Sequence, residues 1–248
     1  MTGERPRVAV FRPDDDRLAA ARTLLHDLGV EAVGDPMLAV EPTGETPSAA
    51  DYVVFTSKTG AELVASAGWE PGTATVVAIG PKTAEALEAA GYAVDLVPEE
   101  FTSSGLVDLL ADRTTDATVE VARSDHGSPV LLDGLRAAGA DVHETVLYRL
   151  VRPEGAGESA ALAAAGDLDA VCFTSSLTVE HFLDAAAERG VRDAAVAGLN
   201  DAVVGVIGAP TRETADGEGI DVDVVPAEAT FEALARETVE RLGDDGAR

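Results

Sequence analysis

Cysteine is nearly absent from this chain: Cys172 is the only one in 248 residues. A single cysteine excludes an internal disulfide framework and any metal site built on several thiolates. It stands inside an apolar run, where a buried strand residue is the expected role. Aromatic residues are scarce at 4%, so the cores must be assembled from alanine, valine and leucine. Positive charge is scarce as well. Lys58 and Lys82 are the only lysines, and the formal net charge is −27. Such a surface repels phosphate backbones and anionic lipid, so nucleic acid and membrane are not expected partners. The acids are spread along the chain rather than gathered in a tail. That pattern suits a protein kept soluble in high salt, where self-repulsion is screened. A halophilic source is therefore expected, with most of the acidity read as adaptation. No apolar run approaches the ~20 residues of a membrane span, and the opening MTGERPRVAV shows no signal-peptide pattern. A soluble, cytoplasmic monomer is the expectation.

Hydrophobic content of 46% is enough for real cores, and the length suits two domains. Short apolar runs predict strands over 7–11, 30–33, 51–57, 75–79, 93–97, 118–122, 141–150, from Asp169, near Val196, and over 203–207 and 222–225. Helical spacing or caps predict helices over 18–28, 59–66, 83–90 and 103–110, from Ser128-Pro129 to Gly139, up to Arg189, from about Pro210, and through Phe231, Leu234 and Leu242. A tail at 243–248 follows. This alternation predicts an α/β protein with parallel sheets and helices on both faces.

Internal repeats sharpen the organisation. Residues 79–106 align without gaps on 207–234 at an offset of 128, with 12 of 28 positions identical. Val8-x-Val10-x-Arg12 matches Val119-x-Val121-x-Arg123. DYVVFTSKTG at 51–60 returns as DAVCFTSSLT at 169–178. Two similar doubly wound (flavodoxin-like) domains follow from these repeats. They are either sequential, split near 111–118, or nested. Pro- and Gly-rich connectors at 35–48 and 152–157 favour nesting: a domain of 37–151 inserted into one of 1–36 and 152–248 and joined by a two-stranded linker.

In open parallel sheets, ligands lie beyond the carboxyl ends of strands, where helix N-termini present free N–H groups. The residues predicted there are Arg12, then Thr56, Ser57 and Lys58, then Gly80, Lys82 and Thr83, then Arg123 and Ser124, then Tyr148 and Arg149. In the second half they are Thr174, Ser175 and Ser176, followed by Gly208, Ala209, Pro210, Thr211 and Arg212. Both lysines are among them. Cations gathered at strand ends of so acidic a chain point to a polyanionic small molecule. Simpler readings stand beside this one. A hydroxyl after a strand is often only a helix cap, and Gly80 and Gly208 suit tight turns. No GxGxxG or Walker pattern is present. Asp125-His126 has no matched nucleophile and reads as an exposed loop histidine. His26, His143 and His181 lack metal-ligand spacing. Tyr148 could face an interdomain cleft or be a half-buried strand residue.

These features together resemble the uroporphyrinogen-III synthase family over nearly the whole chain. The resemblance is carried by FTS at 55–57 and 173–175, AIGPKTAEALEAAGY at 78–92, LVP at 96–98, Arg123, GADVHETVLYR at 139–149 and GVIGAPTRETA at 205–215. It implies two α/β domains on a two-stranded linker and a cyclising lyase without metal or cofactor. The implied substrate is hydroxymethylbilane, a linear tetrapyrrole with eight carboxylates, made by hydroxymethylbilane synthase (porphobilinogen deaminase). The implied product is uroporphyrinogen III, precursor of heme, siroheme and cobalamin. Tyr148 matches the family's proposed general acid, and Ser57, Gly80, Thr83, Ser175, Gly208 and Thr211 match substrate-lining positions. Lys58-Thr59-Gly60 departs from the family, where a small residue, Asn and Ala commonly follow FTS. A non-enzymatic two-domain binder of an anionic metabolite remains the competing expectation.

Overall fold

The computed structural model describes residues 5–245. The opening residues read for a leader, up to residue 4, and the tail from residue 246 lie outside this range. Contacts divide the chain into two compact units, Met1–Ala39 with Val151–Arg248 (unit 1) and Val40–Leu150 (unit 2).

Unit 1 has a four-stranded sheet, β2 (Glu31–Gly34), β1 (Arg7–Val10), β8 (Ala170–Phe173) and β9 (Val203–Val206) in spatial order. Each neighbouring pair in it runs parallel. Its helices are α1 (Asp16–Asp27), α6 (Glu158–Ala165), α7 (Ser176–Glu188), α8 (Arg192–Asn200), α9 (Ala209–Gly217) and α10 (Phe231–Asp245). Unit 2 has the order β3 (Ala39–Pro42), β7 (Asp141–Val151), β6 (Thr118–Ser124), β4 (Tyr52–Phe55), β5 (Thr75–Ala78). Its helices are α2 (Lys58–Ser66), α3 (Pro81–Ala89), α4 (Ser103–Leu110) and α5 (Pro129–Ala137). The chain passes between the units at β3 and β7, which are neighbours in one sheet.

The two sheets share one spatial plan. β7-β6-β4-β5 corresponds to β2-β1-β8-β9, although the chain visits the strands in a different order. Strands buried on both faces are apolar runs, as parallel sheets require; β8 (AVCF) and β9 (VVGV) are buried at every residue. One face of the unit 1 sheet is covered by Phe11, Phe173 and Phe182 with the alanines of α6 and α7. The other is covered by α1 and α10. Cys172 is fully buried, and burial pushes its thiol up to about 12.

Several expectations are corrected. Residues 93–97 and 222–225 are not strands; each contributes a single bridge, Leu96 to Val77 and Val224 to Gly205. The stretch near Val196 is helix α8, not a strand. Helix α6 had no counterpart in the sequence reading. The last helix runs through Gly243 to Asp245, where a tail was expected.

Candidate active site

In unit 2, β4 is buried to Phe55 and stops at Thr56-Ser57. Ser57 is the N-cap of α2, and its Oγ accepts the Gly60 N–H at 3.0 Å. The same Oγ accepts from the Tyr148 hydroxyl at 3.0 Å. A serine that accepts twice still holds its own proton for an outside acceptor. The pair can therefore pass a proton outward from Ser57 while Tyr148 stands behind it.

Tyr148 reaches Ser57 because of a bulge. Along β6 and β7, Arg123 faces Val146, but Ser124 faces Tyr148. The extra residue on β7 reverses the alternation of side chains. It takes Tyr148 off the face carrying Arg123 and Glu144 and onto the face packed by α2. There the ring is buried, at 7% exposure.

The neighbouring strand end is β5, followed by Gly80 and α3. Gly80 caps the helix without any side-chain hydrogen bond, and Pro81 occupies the first turn. In unit 1 Gly208 stands in the same way before α9, again with a proline in the first turn and no side-chain cap. These two N-termini keep unsatisfied donors and the positive end of the helix dipole. Lys82 is exposed on the first turn of α3. Thr83 and Thr211, one turn in, are buried. Lys58 is exposed and pairs with Glu62 at 3.2 Å, a surface pair of little energetic weight.

At the end of β8, Ser175 and Thr178 form a reciprocal capping box at the start of α7. The Ser176 hydroxyl donates to the Pro210 carbonyl at 3.1 Å, tying α7 to α9. Arg12, Thr174 and Ser175 line a cavity of about 320 Å³, together with Arg17 and Phe231. Burial, then the neighbouring Arg17 charge, lowers the Arg12 pKa from its ordinary value.

Arg123 is placed differently. It is buried, its Nε meets Glu144 at 2.6 Å and an Nη meets the Ser128 carbonyl at 2.5 Å. Gly127 lies so close over it that a Cβ there would come within 2.5 Å of the side chain. Its donors already hold the end of the sheet together. Ser124 is half-buried at the same strand end.

Each unit thus gathers its residues at one carboxyl edge: Thr56, Ser57, Lys58, Gly80, Lys82, Ser124 and Tyr148 in unit 2, and Arg12, Thr174, Ser175, Ser176, Gly208 and Pro210 in unit 1. The sequence reading missed Arg17 and Phe231. Their signal was available only through Arg12, which lies next to both in space. His126 is exposed and bonded to its neighbour Asp125 at 2.8 Å. Among the described residues, no group of three or more His, Cys, Asp or Glu could hold a metal ion. No helix among them is long and apolar enough to cross a membrane.

The larger cavity, about 840 Å³, lies elsewhere on unit 2, over β6 and β7. Glu41, Glu45, Glu120 and Glu144 line it together with Arg149 and His143, so acids outnumber cations there and disfavour a polyanion. The loop between β3 and β4 carries no helix, whereas α6 lies between β7 and β8.

The sequence model of the family described as uroporphyrinogen-III synthase HemD matches residues 19–236. A protein of Methanothermobacter thermautotrophicus named putative uroporphyrinogen-III synthase is 32% identical, over 96% of this chain and 99% of its own. A mutant uroporphyrinogen III synthase of Thermus thermophilus superposes with a TM-score of 0.69 at 21% identity, covering 97% of this chain and 99% of that one. The uroporphyrinogen-III synthetase of Helicobacter pylori gives 0.61 at 15% identity, covering 96% and 99%. At such identities the two structures establish a shared fold.

Proposed function

The chain belongs to the uroporphyrinogen-III synthase family, and from that membership we propose that it closes hydroxymethylbilane to uroporphyrinogen III, inverting the last ring and releasing water, without metal or cofactor. The observation that carries the reading is the hydrogen bond of 3.0 Å between Tyr148 and Ser57 at the carboxyl edge of the unit 2 sheet.

The chemistry needs little from the protein beyond orientation and one weak acid. The terminal C–O bond of the substrate breaks, and the leaving hydroxyl departs as water with a proton delivered through Ser57 from Tyr148. The resulting cation is stabilised by its own pyrrole. A substituted ring carbon attacks it, the spiro intermediate fragments, and the chain recloses with the last ring turned over. The proton lost when the final ring regains aromaticity restores the tyrosine.

The substrate's carboxylates are assigned to the uncapped N-termini behind Gly80 and Gly208, to Lys82 and Lys58, and to Arg12 with Thr174 and Ser175. Donors preset for anions cost no reorganisation when the substrate arrives. Thr56, Thr83, Pro210 and Thr211 shape those turns, and Ser176 steadies them through Pro210. Arg123 and Ser124 support the strand end that presents Tyr148.

The direct test is turnover of freshly made hydroxymethylbilane in multimolar salt, with the oxidised products resolved by isomer. The III isomer is expected; the symmetric I isomer alone, the product of unaided closure, would sink the reading. The competing idea of a non-enzymatic anion binder is not favoured by the family match.

The biological setting is part of the same proposal. The enzyme acts as a cytoplasmic monomer that takes an unstable substrate from hydroxymethylbilane synthase without a durable complex, and supplies heme, siroheme or cobalamin synthesis. The charge of −27 reflects a saline cytoplasm. Dilution from multimolar to millimolar salt lengthens the Debye length from below 3 Å to about 30 Å or more, so cooperative structure should be lost at low ionic strength. A melting temperature independent of salt would count against that adaptation.

A further inference from the structure

The repeat Val-x-Val-x-Arg puts Arg12 and Arg123 at corresponding strand ends of the two units, so their surroundings can be compared position by position. Arg123 is satisfied by an acid and a carbonyl and covered by Gly127. Arg12 has none of this. No carboxylate is paired with it among the described residues, and its Nε is buried without a hydrogen-bond acceptor. What it has is a ring: its guanidinium carbon lies 4.8 Å from the centroid of Phe231. The nearest candidate acid, Asp15, is already held by Arg17 at 2.6 Å.

The ring belongs to unit 1 alone. Phe231 is the first residue of α10, fixed there by the Thr230 hydroxyl, which accepts the Ala233 N–H at 3.2 Å. At the offset of 128 its counterpart in unit 2 is Ser103. One copy of the repeat has an acid-locked arginine and no ring; the other has a ring and an arginine without its acid. Stacking on the ring holds one face of a guanidinium and leaves its N–H edge free for a planar anion. The cavity beside it lies at the ends of β1 and β8, from which the chain proceeds outward in opposite directions to β2 and β9. That is the switch point at which doubly wound sheets bind ligands.

We propose that Phe231 is a positioning residue: it holds the Arg12 guanidinium ready in the unit 1 cavity, where Arg12, with the start of α7, seats one carboxylate of the substrate. The assignment rests on the function proposed above and names the residue that sets the affinity of that subsite. Phe231 touches the arginine, not the reacting carbons, so it acts on binding.

Steady-state kinetics on the full chain test this. Phe231→Leu keeps an apolar side chain and removes the ring. It should raise KM for hydroxymethylbilane about tenfold, with kcat nearly unchanged. Phe231→Tyr and Phe231→Trp keep a ring and should restore most of the affinity. Arg12→Gln should also raise KM, and Arg12→Gln with Phe231→Leu should be no worse than Arg12→Gln alone, because the ring acts only through the guanidinium. An unchanged KM in Phe231→Leu, an equal loss in the ring-bearing variants, or additive effects in the double variant would each overturn the proposal. The wild type separates the levels: if it makes no III isomer, function and inference fall together. If it does, those outcomes remove only the role of Phe231.

Discussion

Tyr148→Phe should lower kcat about a hundredfold, within the range by which a positioned general acid accelerates proton transfer. KM should change little, because the hydroxyl lost is required mainly in the transition state. The structural cost is small. The ring stays in its buried place against α2, and Ser57 keeps the Gly60 N–H. One hydrogen bond between hydroxyls is lost, worth about 1 kcal/mol. The isomer ratio supplies a second readout. Slower enzymatic closure leaves more time for the unaided reaction, so the share of I isomer should rise at fixed enzyme concentration. Unchanged kinetics would remove Tyr148 from the mechanism, and a large fall in melting temperature would reassign it to the core.

Gly198→Ala should lower stability clearly, although it adds only a single methyl group. Gly198 lies in α8 where that helix meets α6, and a Cβ there would fall 1.8 Å from the Ala163 carbonyl oxygen. The obstacle is backbone, which cannot turn aside as a side chain would. In an isolated helix the change to alanine gains about 1 kcal/mol. Here the helices must separate, and overpacking costs about 3 kcal/mol or more, so the net effect is destabilising by about 2 kcal/mol and the melting temperature falls by roughly 4–8 °C. Gly217→Ala, at the end of α9 with nothing within 4 Å of the added carbon, is the control and should be neutral or slightly stabilising. Equal melting of the two variants would mean that α6 and α8 are not so closely packed.

The strand-end edges were legible because their signals are local. An apolar run stopping at Thr56-Ser57, or at Thr174-Ser175, is bounded by its own neighbours, and a proline two residues after Gly208 announces a helix start by itself. Helix α6 carries no such signal. It begins after Gly157 in a left-handed conformation, and the acceptor that satisfies its first turn is the buried Asp35 carboxylate, which takes the N–H groups of Gly157 and Ser159 at 2.9 and 2.8 Å. That cap is supplied from 122 residues away. The apolar Val196 suggests a strand, but the alanines on either side of it favour helix, and α8 packs against α6. The runs at 93–97 and 222–225 have strand composition, but each finds a strand partner for one residue only.

The same division holds at the site. Composition, alternation and repetition were sufficient for the α/β class and the duplicated plan, and the resemblance of short motifs for the family, since each is a property of residues near one another in the chain or recurring along it. They could nominate Arg12, Arg123 and Tyr148, but not tell their situations apart. Arg12 and Arg123 occupy equivalent places in the same motif, yet one is locked by Glu144 and Ser128 while the other rests on Phe231. Tyr148 meets Ser57 only because a bulge in the pairing of β6 with β7 turns it to the other face. Register and long-range neighbours come into being when the chain closes on itself, and no local pattern encodes them.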